Sequence, residues 1–152
     1  MTLRVASPVS GRVVGLTEVP DPVFAEAMVG PGLAVEPDAD GPVDAVSPVD
    51  GTVVTLHPHA FVVGTDAGPA VLVHLGIDTV RLKGEGFTLH VAKGDAVRAG
   101  QPVIGWHPAE VRAAGYAAIC PVVALDASAD ALTDKHADGP VRIGEALFDW
   151  TN

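Results

Sequence analysis

The chain has 152 residues, 48% of them hydrophobic, enough for one domain over 1–152 to bury roughly two-thirds of its unfolded surface without a disulfide or metal staple. Nineteen acidic residues against nine basic ones give a formal charge of −10, which excludes nucleic-acid binding, because phosphates would be repelled, and favours basic protein partners. The single cysteine, Cys120, excludes a disulfide framework; with no export signal and no run of ~20 apolar residues, the expectation is a monomeric cytoplasmic protein with no direct membrane insertion.

The 17 glycines and 13 prolines punctuate short valine-rich runs, the pattern of strands joined by tight turns. Gly11-Arg-Val-Val-Gly-Leu16 is the first such run. A short helical turn is predicted near Val23–Met28, and Pro37–Asp44 reads as a surface loop. Gly51-Thr-Val-Val-Thr-Leu56 is the second run, and Ala60–Val63 and Ala70–Val73 follow as the arms of a hairpin. A second helical turn is predicted near Ala109–Ala114. Several runs do not alternate, so some strands are expected to be buried on both faces. The expected fold is all-β, a compact antiparallel β sandwich or barrel-sandwich with one or two short helical turns.

Two internal echoes point to a duplicated motif. Ser7-Pro-Val-Ser-Gly-Arg-Val-Val-Gly-Leu16 matches Ser47-Pro-Val-Asp-Gly-Thr-Val-Val-Thr-Leu56 at an offset of 40. Val97-Arg-Ala-Gly-Gln-Pro-Val-Ile-Gly-Trp106 matches Val141-Arg-Ile-Gly-Glu-Ala-Leu-Phe-Asp-Trp150 at an offset of 44. Each unit occurs only twice, so the chain is a pair of similar β motifs around one core rather than an array.

Among six histidines, His74 is unusual because it sits in the apolar run Val71-Leu-Val-His-Leu75. A buried neutral histidine held by backbone hydrogen bonds is one reading of it. His59 supplies another. If the hairpin loop has an even number of residues, centred between Asp66 and Ala67, His59 lies directly across from His74 on the same face, with Cβ atoms ~5 Å apart. An odd loop would separate them. Two facing imidazoles can act as nucleophile and helper in group transfer, can bind a metal, or can be merely adjacent. Phosphoryl transfer suits them well, because imidazole is largely neutral at cytoplasmic pH.

The stretch Val73-His-Leu-Gly-Ile-Asp-Thr-Val-Arg-Leu-Lys-Gly-Glu-Gly-Phe87 closely resembles the signature V-H-x-G-I-D-T-V-x-L-x-G-E-G-F of the glucose-class enzyme IIA of the bacterial phosphoenolpyruvate:sugar phosphotransferase system. Ser7-Pro-Val-Ser-Gly11, Val19-Pro-Asp-Pro-Val-Phe-Ala-Glu26, Pro48-Val-Asp-Gly-Thr52, His59-Ala-Phe61 and Gly94-Asp-Ala-Val97 agree in the same order. The resemblance implies a phosphocarrier without a cofactor. His74 would take the phosphoryl group on Nε2 from the histidine phosphocarrier protein, with His59 assisting. A cysteine on the IIB domain of a glucose or N-acetylglucosamine permease would then receive it. It also implies regulatory protein targets in some bacteria. Asp78 and Asp21 match acidic positions beside the site and at its rim; each reads either as a docking charge or as a turn aspartate bonded to its own backbone. Val23 and Phe24 match an apolar docking patch.

Departures from the family pattern are also present. His57 stands where the family has a threonine, Glu36–Val46 is longer and Gly51–His59 shorter than expected, and the membrane-seeking N-terminal tail of some members is not expected here. The rival reading is a zinc-dependent hydrolase using His57, His59, His74 and Asp78, whose H-x-H and H-x-x-x-D spacings suit zinc ligation. The order of those motifs is reversed relative to the metallopeptidases that carry them. Incidental zinc between His59 and His74 is a milder alternative. His90, His107 and His136 are read as inert, and Cys120 as a buried thiol.

Overall fold

A computed structural model describes residues 2–151. Strands β1 (Thr2–Ala6) and β2 (Gly11–Gly15) precede a short helix, α1 (Pro22–Ala25). β3 (Gly32–Pro37), β4 (Val43–Val46), β5 (Gly51–His57), β6 (Ala60–Gly64) and β7 (Ala70–His74) follow. After them come β8 (Thr88–Leu89), β9 (Ala96–Val97), β10 (Pro102–Trp106) and a second helix, α2 (Pro108–Ala113). The chain ends with β11 (Cys120–Ala124), β12 (Leu132–Thr133), β13 (Gly139–Val141) and β14 (Ala146–Thr151). An eight-stranded sheet runs β13-β2-β3-β11-β7-β6-β5-β9, and two three-stranded sheets run β1-β14-β12 and β4-β10-β8. Every described pairing is antiparallel, as expected for a β sandwich. Among the described residues, no helix is long and apolar enough to cross a membrane.

Both sequence echoes are structural repeats. Ser7 and Ser47 are fully buried, and their hydroxyls donate to Val9 O at 2.6 Å and Val49 O at 2.7 Å. The two repeats clasp reciprocally: Ala6 N–H donates to Pro48 O, and Val46 N–H to Pro8 O, both at 3.0 Å. The partner echoes close the same way, Ser7 N–H on Glu145 O at 2.7 Å and Ser47 N–H on Gln101 O at 2.9 Å. Buried backbone groups at the crossing are thereby satisfied twice by one device. The glycine in each repeat is a matter of space: a Cβ at Gly11 would collide with the Glu36 carbonyl, and one at Gly51 with the Gly64 carbonyl.

Alternate residues of the large sheet feed two apolar clusters. Val35, Val71, Val73 and Val122 join the main core with Phe61, Trp106 and Phe148. Ala34 and Val123 join a smaller cluster with Leu16, Val19, Phe24, Ile77 and Ile119 on the other face. Strands buried on both faces read as unbroken apolar runs, and β6 from Ala60 to Val63 and β11 throughout are of this kind. Because side chains alternate along a strand, the parity of Val71 and Val73 turns Leu72 and His74 toward the smaller cluster and α1.

The β6–β7 register differs from the even-loop expectation. Ala60, not His59, lies opposite His74. The loop Thr65–Pro69 has an odd length, closed by the Thr65 N–H and hydroxyl, which both donate to Pro69 O, at 2.9 and 2.8 Å.

Candidate active site

His74 is the last residue of β7, with its ring over the small apolar cluster. His59 is not on a strand. His57 and Ala60 pair across a two-residue turn made by Pro58 and His59, and residues in a turn escape the pleat rule that governs strands. The turn is tied down where it matters, since Leu75 N–H donates to His59 O at 2.7 Å. The His59 and His74 rings therefore meet edge to face, centroids 5.2 Å apart and planes at 70°. The pair expected from sequence forms, by a route other than the expected register. His57 joins it, stacked on His59 at 5.8 Å and 22°. Phe24 packs against His74 from below at 5.2 Å.

The proton on His74 is assigned by its partner. Nδ1 lies 2.5 Å from Gly76 O, and a carbonyl can only accept, so Nδ1 carries the hydrogen and Nε2 of the neutral ring keeps a free lone pair. Burial lowers the His74 pKa; the Gly76 carbonyl and the carboxylates of Asp21 and Asp78 push the other way. His59 is lowered to about 4, chiefly by burial and then by the charges of His74 and His57. Both rings are thus neutral near pH 7.

Gly76 was not singled out by the sequence reading, although the glycine of the H-x-G run is its signal. It adopts φ 77°, and a Cβ there would press on Ala117 O and Thr79 Cγ2, each at 2.7 Å. The neighbouring chain is pinned by Ile77 N–H to Ala117 O at 2.9 Å and by the Thr79 hydroxyl to Leu75 O at 2.7 Å.

Asp21 is the N-cap of α1, accepting from Val23 N–H at 2.9 Å, so it is a turn aspartate that also acts on His74 through its charge. Asp78 sits in the left-handed region at φ 61° with no side-chain capping bond. Phe24 corrects an expectation: at 6% exposed it belongs to the small core and backs His74 rather than forming a docking surface. Val23 is 38% exposed, and Met28 and Val80, which sequence did not single out, are 69% and 60% exposed.

His90 pairs with Asp44 at 2.8 Å, and His136 Nδ1 lies 2.6 Å from Ala137 O, both outside the cluster. Cys120 is buried and its thiol pKa is pushed up by burial. Among the described residues, no three His, Cys, Asp or Glu side chains converge to hold a metal ion. His57 and His59 stack instead of pointing at a common centre, so the zinc-hydrolase arrangement of His57, His59, His74 and Asp78 finds no support.

A family model described as "phosphoenolpyruvate-dependent sugar phosphotransferase system, EIIA 1" matches residues 3–129. A glucose-specific EIIA component of Oceanobacillus iheyensis is 42% identical over 123 residues, covering 80% of this chain and 73% of that protein. A beta-glucoside-specific EIIBCA component of Bacillus subtilis is 39% identical over 138 residues, covering 90% of this chain but 21% of that longer protein. Among solved structures, the glucose permease IIA of Mycoplasma capricolum superimposes with a TM-score of 0.86 at 31% identity, covering 98% of this chain and 96% of that one.

Proposed function

Since this chain belongs to the EIIA 1 family of the phosphoenolpyruvate-dependent sugar phosphotransferase system, in its glucose class, we propose that it carries a phosphoryl group on Nε2 of His74. The group would come from the phosphohistidine of the histidine phosphocarrier protein and leave to a cysteine on the IIB domain of a glucose or N-acetylglucosamine permease. The observation that carries this reading is the Nδ1–H···O hydrogen bond from His74 to Gly76, which leaves Nε2 as a neutral, unprotonated nucleophile.

In the first step the Nε2 lone pair forms the N–P bond as the donor's N–P bond breaks, and the proton stays on Nδ1, donated to Gly76 O. In the second, the IIB thiolate forms the S–P bond and the N–P electron pair returns to Nε2. His59, at 5.2 Å, would hydrogen-bond the phosphoryl oxygens as charge builds in transit. The carboxylates of Asp21 and Asp78 repel the phosphoryl dianion, which keeps the N–P bond labile enough to be passed on. They also suit arginines on a basic donor, and exposed Val23 supplies an apolar rim contact.

The test is intact mass after incubation with phosphoenolpyruvate, enzyme I and the histidine phosphocarrier protein. Wild type should gain one acid-labile phosphoryl group and His74→Ala none. His59→Gln should accept the group but fail to pass it to IIB. An unmodified wild type in an otherwise active mixture would refute the proposal.

A further inference from the structure

The four rings of the site form a rank: His57 stacks on His59, His59 meets His74 edge to face, and His74 rests on Phe24. One end of the rank is anchored in the small core through Phe24, 6% exposed. The other end is His57, an exposed residue at the close of β5. His59 sits between them in a turn whose backbone is held by Pro58, with φ fixed by its ring, and by the bond from Leu75 N–H to His59 O. Nothing in that backbone fixes the His59 side-chain torsions. Two rings pack against it, His74 edge to face and His57 stacked.

We propose that His57 is a positioning residue for phosphoryl transfer, clamping the His59 imidazole by stacking so that it keeps its edge-to-face contact with His74. This rests on the phosphocarrier reading above and adds to it a residue in a role of its own. The near-parallel planes, 22° apart, are those of an offset stack, an arrangement that needs a flat ring at 57 but neither its charge nor its nitrogens. A hydrogen-bonding residue at 57 would hold His59 by a different means. The Coulombic effect of His57 on His59 gives a second signal that separates clamp from charge.

The test uses His57→Ala and His57→Phe in the full chain, with rapid-quench single-turnover transfer from the phosphorylated histidine phosphocarrier protein. Stacked aromatic pairs and displaced catalytic groups set the expected scale: His57→Ala slows the maximal transfer rate by about 3- to 10-fold, with little change in the donor concentration giving half of it. His57→Phe should bring the rate back to within about twofold of wild type, since a flat ring is restored. Side-chain NMR of the His59 ring is read on the same proteins without any phosphoryl donor. Its ring-current shifts should be lost in His57→Ala and kept in His57→Phe, while its pKa rises in both.

Transfer by His57→Ala at the wild-type rate overturns the proposal. So does His57→Phe being as slow as His57→Ala, or His59 shifts that ignore the alanine substitution. A wild type that takes up no phosphoryl group would sink the phosphocarrier reading instead, and the NMR comparison would still decide whether His57 clamps His59.

Discussion

Phosphorylating His74 should convert His59 from a neutral ring into a cation. In the unmodified protein His59 titrates at about 4, so about one ring in a thousand is protonated at pH 7. A phosphoryl group on His74 places negative charge about 5 Å away, judged by the ring separation. At that distance, with an effective dielectric constant of about 20, each unit charge is worth about 3 kcal/mol, or about a hundredfold in proton affinity. A phosphoryl group carries nearly two such charges, and the cost of burying the cation is already contained in the low starting value. Protonation then makes both ring nitrogens of His59 donors and adds a positive charge beside the phosphoryl oxygens while the group is present, and loss of the group returns the ring to neutral. The assay is a pH titration of the His59 ring by nitrogen-detected NMR, before and after phosphorylation, with His74→Ala carried through the same mixture as control. A change of at least about a thousandfold in the His59 protonation constant is expected, the amount that protonates half the rings or more at pH 7; a change below about a hundredfold would leave the ring mostly neutral and refute the conversion.

The same lowered pKa values predict acid sensitivity of the fold. The unfolded chain binds protons at the ordinary histidine value of 6.5, whereas folded His59 resists until about 4, and folded His74 is also held low. Stability from these rings is therefore fully present above 6.5 and is lost as pH falls toward 4. His59→Gln should flatten that part of the Tm–pH curve, and an unchanged curve would contradict the assigned burial. Gly76→Ala forces a Cβ into positive φ against Ala117 O, so thermal denaturation should show a loss of about 1–3 kcal/mol. It should also slow phosphoryl acceptance, because the carbonyl that fixes the His74 tautomer moves; wild-type stability and rate together would argue against that role.

Much of this was legible from residue order, and what was not has physical reasons. The valine runs between Gly and Pro marked strands, and the two echoes emerged as reciprocal clasps through Ser7 and Ser47. Both short helices fall close to their expected places, α1 ending sooner because Ala27 turns into the left-handed region at φ 53°. Loop parity was not legible. Closure by Thr65 on Pro69 O depends on one hydroxyl in a polar loop, and an adjacent even closure looks the same in sequence. The burial of Phe24 was equally hidden, since four helical residues show no periodicity from which to choose an inward face.

The duplication explains where the site is. The two copies agree through Leu16 and Leu56 and diverge immediately after. Beyond Leu56 the chain reverses through the tight turn that carries Pro58 and His59. Beyond Leu16 it runs through a 3₁₀ turn and α1, which bring Asp21 and Phe24. These unlike connections leave structurally similar strands, and both reach His74: His59 meets it edge to face, and Phe24 packs against it tilted at 56°. A symmetric pair of β motifs offers scaffold twice over, but the proposed nucleophile, its proposed helper and the ring that backs it must differ from one another. The chain meets that requirement by keeping the clasps alike and varying only the two connections, so substitutions in the Ser-Pro-Val repeats should act on stability and those just beyond Leu16 and Leu56 on transfer.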